Sequence, residues 1–206
     1  MSDSIQHFNQ AAAEWDAKPT RVKVAESLSQ AISAAIVLHN QMDVLDYGCG
    51  TGLVSLPLLS RIKSLTGMDT SAGMLEQFTA KIRQTQCSNC RSVLLVPEQS
   101  NLGAGVFDLI ISTMAFHHIP EPLAVLGQMH RALRDQGQIV ICDLDREDGT
   151  FHEHNNGIFH HGFERDQFGQ YLLTAGFRNI GFRTAYTVRR DSGREYPIFL
   201  AHAVRS

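Results

Sequence analysis

The sequence predicts an α/β fold, a doubly wound and mostly parallel sheet with helices on both faces and an antiparallel strand at its end. Three observations carry this. Short apolar runs alternate with longer amphipathic segments across the middle of the chain. The run "GQIVICDL" (137–144) has a fully apolar centre, suited to burial on both faces as parallel strands are. Near the C-terminus "NIGFRTAYTV" (179–188) and "YPIFLAHAV" (196–204) are joined by a short turn-rich link, which pairs two strands antiparallel.

The elements follow in order. Over residues 20–37 the positions Val24, Ala25, Leu28, Ile32, Ala35 and Ile36 carry helical spacing. "DVLDY" (43–47) is the first strand, and "GLVSLPLLS" (52–60) a helix bent or interrupted at Pro57. "SLTGMD" (64–69) is the second strand. "AGMLEQFTAKIRQ" (72–84) is a helix with Leu75, Phe78 and Ile82 on one face. "SVLLV" (92–96) and "FDLIIST" (107–113) are the third and fourth strands, and "EPLAVLGQMHRAL" (121–133) a helix gathering Leu123, Leu126 and Leu133. After the fifth strand (137–144), "ERDQFGQYLLTAG" (164–176) is a helix with Gly176 as its cap. Ile180, Phe182, Thr184, Tyr186 and Val188 then alternate as a strand does. The total is five β-α units and a closing hairpin in one domain, 1–206, with no repeat or linker. The polar segment 146–163 follows the fifth strand, on the side where ligands bind in open α/β sheets.

The stretch "VLDYGCGTGL" (44–53) is the most informative. Gly48, Gly50 and Gly52 permit positive φ and remove Cβ atoms between a strand and a helix start, where free N–H groups meet a ligand. The spacing is G-x-G-x-G, not the G-x-G-x-x-G of a dinucleotide turn. Asp46 precedes it, a neighbour that disfavours a pyrophosphate and favours an ammonium group. Asp69 ends the second strand 21 residues after Gly48, where an acid reaches a ribose diol. Adenosine, ribose diol, amino group and no phosphate together describe S-adenosylmethionine.

On these residues the chain resembles the class I S-adenosylmethionine-dependent methyltransferases. "VLDYGCGTGL" is similar to their first motif, "LTGMDTSAGML" to their second and "FDLIISTMAFHHIPEP" to their fourth-strand motif, over roughly residues 8–176 and most strongly 43–144. The branch it resembles most is that of the small-molecule ubiquinone and menaquinone C-methyltransferases. The resemblance implies a Rossmann-like seven-stranded sheet with the last strand antiparallel, and release of S-adenosylhomocysteine as product. It implies that Asp46, Gly48, Cys49, Gly50, Thr51 and Gly52 surround the amino-acid part of the cofactor. Asp69 would hold the ribose, with Thr70 and Met74 beside the adenine. Glu98 and Gln99 stand where the family has an Asp-Ala pair, in a loop about two residues shorter. Thr113 and Met114 would floor the site, with His117 near the methyl. "HFNQAAAEWD" is similar to the family's lid, within an N-terminal segment 1–40, and would place Trp15 over the sulfonium, where an aromatic face favours a cation.

Other readings stand beside these. Met74 also suits core packing, and Trp15 an anchor for the N-terminal helix. Cys87-Ser88-Asn89-Cys90 is a C-x-x-C without a second ligand pair, read as a surface loop. Six of ten histidines fall in two places expected to face the cofactor: His117 and His118, and His152, His154, His160 and His161. They are loop content, an acceptor pocket with His117 or His160 as base, or a metal site unsupported by any fixed spacing. The expected cofactor is S-adenosylmethionine, with no metal.

Composition sets the outer limits. A net charge of −3 with no basic block gives no reason to expect nucleic acid. No run approaches the roughly 20 apolar residues of a membrane helix. The N-terminus lacks a signal region, and four scattered cysteines suit a reducing cytosol, so a cytoplasmic protein is expected. The partner is then a small-molecule acceptor, since 206 residues leave little room for a domain that recognises nucleic acid or protein. The rivals are a nicotinamide oxidoreductase, against which the glycine spacing and Asp46 count, and a non-catalytic cofactor-binding or regulatory protein on the same scaffold.

Overall fold

The computed structural model describes residues 3–85, 88–96, 101–152 and 154–206. Seven strands form one sheet. They are β1 (Asp43–Tyr47), β2 (Ser64–Asp69), β3 (Cys90–Leu94), β4 (Phe107–Thr113), β5 (Leu133–Leu144), β6 (Phe177–Arg189) and β7 (Glu195–Arg205). Their order is β3-β2-β1-β4-β5-β7-β6. The first five run parallel, and β7 inserts antiparallel between β5 and β6. The helices are α1 (Asp3–Ala11), α2 (Pro19–Ala35), α3 (Ala72–Thr85), α4 (Pro122–Ala132) and α5 (Arg165–Thr174).

The strand residues alternate between two cores, as a period of two requires. On one face Val44, Leu109, Val140 and Leu200 pack with Leu28 and Ile32 of α2 and Phe78 of α3. On the other, Leu45, Ile110, Ile141 and Phe199 pack with Leu126 and Met129 of α4 and Phe168 and Leu172 of α5. β5 is buried on both faces, as its apolar centre predicts.

Strands β1, β2 and β4 match the sequence reading residue for residue. β3 begins two residues earlier than expected, because its pairing with β2 starts at Cys90 opposite Leu65. The expected helix over 52–60 is a correction. Turns occupy this stretch until a short 3-10 helix, Leu56–Arg61, with Pro57 in its first turn. Proline there has no N–H and crowds the preceding turn, so an α-helix does not propagate through it. Between β3 and β4 there is no helix among the described residues. Strand order reverses between β1 and β4, and the carboxyl ends of both strands meet there, the place where open α/β sheets hold ligands.

Candidate functional site

The glycine turn after β1 is tied to the end of β2. The Gly48 and Cys49 amides both donate to the Met68 carbonyl, at 2.7 and 2.9 Å. The Gly50 amide donates to Asp69 Oδ2 at 2.8 Å. These N–H groups are therefore committed within the protein, unlike the free helix start that the sequence suggested. Two of the three glycines answer to packing. A Cβ on Gly48 would lie 2.6 Å from that of Ala115 after β4, and one on Gly52 would meet the Phe78 ring. Gly50, at φ +53°, faces open space, with nothing within 4 Å of a built Cβ. A ligand can approach the backbone there.

Two acids flank this opening. Asp46 is 1% exposed, and its Oδ1 has no hydrogen-bond partner. Burial pushes its carboxyl up to about 7, with the Ser55 hydroxyl working the other way and the Asp69 charge adding to the rise. Asp69 is also raised by burial, against the amides of Ser71 and Gly50 that favour its charge. Its Oδ1 accepts the Ser71 amide at 2.8 Å. One amide on each oxygen leaves lone pairs for further donors. Thr70 is half-buried beside it, and Met74 is buried at the start of α3, its amide capped by Ser71 Oγ at 3.1 Å.

The N-terminal segment folds over this turn. Asn9 Oδ1 accepts the Ser71 hydroxyl at 2.7 Å and the Gly73 amide at 2.9 Å. The Thr51 hydroxyl donates to Asp16 Oδ1 at 2.6 Å, and Lys81 reaches both the Thr51 carbonyl and Asp16. Trp15 lies between these anchors in a 3-10 stretch, Ala12–Ala17. One of its faces carries the Arg21 guanidinium, 3.6 Å from the ring centroid, and the Phe8 ring meets it edge-on at 5.5 Å.

On the other side, β4 ends at Thr113, and Met114 adopts φ +53°, held by its amide on the Cys142 carbonyl at 2.8 Å. Both residues are half-buried. The next turn buries His117, whose Nδ1 lies 2.7 Å from Asp143 Oδ1. Asp143, fully buried in β5, also accepts the amides of Phe116, His117 and Leu144. Burial opposes its charge, but His117 and the Leu144 amide outweigh that and hold the carboxyl below its usual range. His117 Nε2 is buried without a partner.

Segment 146–163 lies against this turn, as its place in the chain predicts. The Phe159 and His160 amides both donate to the His117 carbonyl, and His118 Nδ1 meets the Gly157 carbonyl at 2.8 Å. Gly162, at φ +68°, lies so close to the Asp145 carbonyl that a Cβ has no room. The segment brings His152 to a ring separation of 5.0 Å from His117, and His152 Nε2 is likewise buried and unpartnered. His160 is placed differently from His117. Its Nε2 faces the Ile119 carbonyl at 2.9 Å and its ring lies on Phe163, so it braces the segment. Glu98 and Gln99 lie outside the described residues, as does Cys87. Among the described residues no group of three His, Cys, Asp or Glu side chains is arranged to hold a metal ion.

The sequence reading did not single out Asn9, Asp16, Ser71 or Asp143. For Asp143 a signal was present, an acid inside the otherwise apolar run of β5, which needs a buried partner. Asn9 and Asp16 gave none, because their partners are 62 and 35 residues away.

Residues 44–137 match the family described as a methyltransferase domain. An uncharacterized methyltransferase of Schizosaccharomyces pombe is 30% identical over 135 residues, covering 59% of this chain and 48% of the relative. A malonyl-[acyl-carrier protein] O-methyltransferase of Geobacter sulfurreducens is 28% identical over 192 residues, covering 84% and 69%. A ubiquinone biosynthesis O-methyltransferase of Dechloromonas aromatica is 28% identical over 158 residues, covering 71% and 65%. The chain thus spans about half the length of the first of these relatives and about two thirds of the others. The fold is shared with the phosphoethanolamine N-methyltransferase 2 of Haemonchus contortus, solved with S-adenosyl-L-methionine. The TM-score is 0.72 at 14% identity, over 96% of this chain and 60% of that one. With this domain match at the glycine turn and these relatives along its length, the chain is similar to methyltransferases in sequence and in fold.

Proposed function

We propose that this chain transfers a methyl group from S-adenosylmethionine to a small-molecule acceptor. The observation that carries the reading is the acid-lined opening at Gly50. Asp46 offers a buried, unpartnered oxygen, Asp69 offers spare lone pairs, and Gly50 leaves space between strand ends. Such a cradle suits a cation with a diol and disfavours a phosphate.

The cofactor's parts find partners accordingly. Asp46 and residues Gly48 to Gly52 take the amino-acid end, Asp69 the ribose diol, and Thr70 and Met74 the adenine. Thr113 and Met114 form the floor, and the segment carrying Trp15 closes the top. When bound, the cofactor supplies a methyl group on positively charged sulfur, which an acceptor atom displaces in line. The protein needs no nucleophile of its own. Its work is alignment and exclusion of water, through the Asn9 and Asp16 contacts that hold the N-terminal segment down. His117 is the base where the acceptor needs one, its position fixed by Asp143.

No helix among the described residues is long and apolar enough to cross a membrane. A cytosolic site of action is the reading that the buried free thiols of Cys49 and Cys142 support.

Calorimetry with S-adenosylmethionine tests the cofactor assignment. Asp69→Ala, checked for folding, is expected to weaken binding by about 1.5–3 kcal/mol, the scale of hydrogen bonds to a charged group. Unchanged affinity would reject the ribose assignment. Absence of binding to the native chain, or tight binding of NADH, would reject the function. Transfer of labelled methyl from the cofactor to any acceptor separates an enzyme from a binding protein on the same scaffold.

A further inference from the structure

Two buried imidazole nitrogens on the acceptor side have no partner, and their rings are neighbours. They are Nε2 of His117 and Nε2 of His152, on rings whose centroids lie 5.0 Å apart at 40°. The other nitrogen of His117 is committed to Asp143. With that carboxylate ionised, Nδ1 carries the ring proton, so Nε2 of the neutral ring can only accept. Burial, the largest cause in each, holds His152 down to about 4 and His118 down to about 3. Both are neutral near neutral pH, and a neutral His152 can donate from Nε2.

An acceptor nitrogen beside a donor nitrogen is matched by a group that both donates and accepts. Two hydrogen bonds of about 2.8 Å to one oxygen span nitrogens up to about 5.6 Å apart, the scale of this ring separation. A hydroxyl meets the requirement and keeps a second lone pair for attack. An amine does not, because its single lone pair is the nucleophile and cannot also accept from His152. A thiol forms such bonds only weakly. We propose that His117 and His152 clasp a hydroxyl group of the methyl acceptor, so that this chain methylates oxygen, with Asp143 as the positioning residue behind His117. This rests on the methyltransferase reading above. In the step, the hydroxyl oxygen forms its bond to the methyl carbon as the carbon–sulfur bond breaks, its electron pair staying on sulfur. The hydroxyl proton passes to His117 Nε2 and leaves to solvent. The Asp143 carboxylate stabilises the imidazolium in between, and His152 orients the oxygen.

Histidine-labelled chain with S-adenosylhomocysteine bound, observed by two-bond 1H–15N spectra near neutral pH, tests this without turnover. His117 is expected with its proton on Nδ1, and His152 with its proton on Nε2. Phenol, as the probe, should move both Nε2 signals together, and aniline should not. His152→Phe, which keeps an aromatic ring, should weaken phenol binding by about tenfold or more while leaving S-adenosylhomocysteine affinity unchanged. A proton on His117 Nε2 in the bound state, phenol moving neither signal, or aniline moving both equally would overturn the proposal. Micromolar zinc moving both in place of phenol would overturn it in favour of a metal. Calorimetry of S-adenosylhomocysteine on the same sample separates the two levels. Failure to bind sinks the methyltransferase reading, whereas binding with the wrong proton pattern sinks only the hydroxyl clasp.

Discussion

With Asp46 at the cofactor's amino group, as proposed, cofactor binding depends on pH. The Asp46 carboxyl lies at about 7 in the empty protein, chiefly through burial, and its Oδ1 has no partner. An ammonium group placed beside it favours the ionised form and pulls that value down. Binding is then strongest above about 7 and weakens as protons compete below it. At about pH 6 roughly ten in eleven molecules hold the proton and at about pH 7 one in two, so apparent affinity should rise about fivefold between them. The ligand's own amino group titrates near 7.7–8.0 in ordinary surroundings, roughly speaking, so the comparison belongs below that range. Folding carries the opposite sign. A raised carboxyl favours its protonated form in the native state, so its contribution is lost as pH rises from about 4 through about 7. Asp46→Asn keeps the shape without the charge. It should raise the melting temperature of the empty protein by several degrees at alkaline pH, weaken cofactor binding and flatten its pH dependence. Calorimetry at a series of pH values and thermal melts with and without cofactor measure both. A variant that binds as the parent does, or keeps the same pH slope, would refute the placement of Asp46 at the amino group.

The remaining expectations are briefer. Gly48→Ala must push against Ala115 and should lower the melting temperature sharply, whereas Gly50→Ala meets open space, costs about 1–2 kcal/mol for its left-handed backbone and mainly loses cofactor affinity. Equal loss of stability in both would remove the distinction drawn between these glycines. Asp16→Ala releases Thr51 and Lys81 from the N-terminal segment, and stopped-flow dissociation of S-adenosylhomocysteine should quicken by about five- to twentyfold, worth about 1–2 kcal/mol. An unchanged off-rate would mean that this contact does not latch the lid. The depressed imidazoles of His118 and His152 make stability present above about 6.5 disappear as pH falls toward 4 and 3, and His118→Gln should give a shallower loss in acid melts. A steeper loss would reverse the sign argued here.

The glycine turn and its acids were legible in the sequence because they are local. Strand, glycine turn and acid lie within ten residues, and β2 repeats the arrangement ending in Asp69. Period-two burial made the strands readable to the residue where both faces are packed, as in β1 and β4. The stretch after the turn was misread because apolar spacing in "GLVSLPLLS" suits a helix, while Pro57 limits it to a 3-10 turn. The segment 146–163 and the turn after β4 were legible only as a cluster of histidines. Which of them come together depends on contacts set by the path of 146–163, such as the two amides on the His117 carbonyl, and no spacing rule reports those. His160 and His152 look alike in sequence. One meets a backbone carbonyl and the other keeps a buried nitrogen unmatched.

The two sides of the site share one closure. Helix α1 holds Asn9 over Ser71 on the proposed cofactor side, and the same helix brings Phe8 edge-on to His118 at 5.1 Å on the proposed acceptor side. Its Ser4 lies against Gly157 so closely that a Cβ there has no room. Moving α1 away to admit one ligand therefore breaks contacts around both. Close by, Nε2 of His117 and Nε2 of His152 are buried and unpartnered in this closed arrangement. Closure without an acceptor leaves those nitrogens unmatched, and closure with a hydroxyl between them does not. The energetic asymmetry thus favours the closed state when both ligands are present, which is the state in which water is excluded and the reacting atoms are aligned.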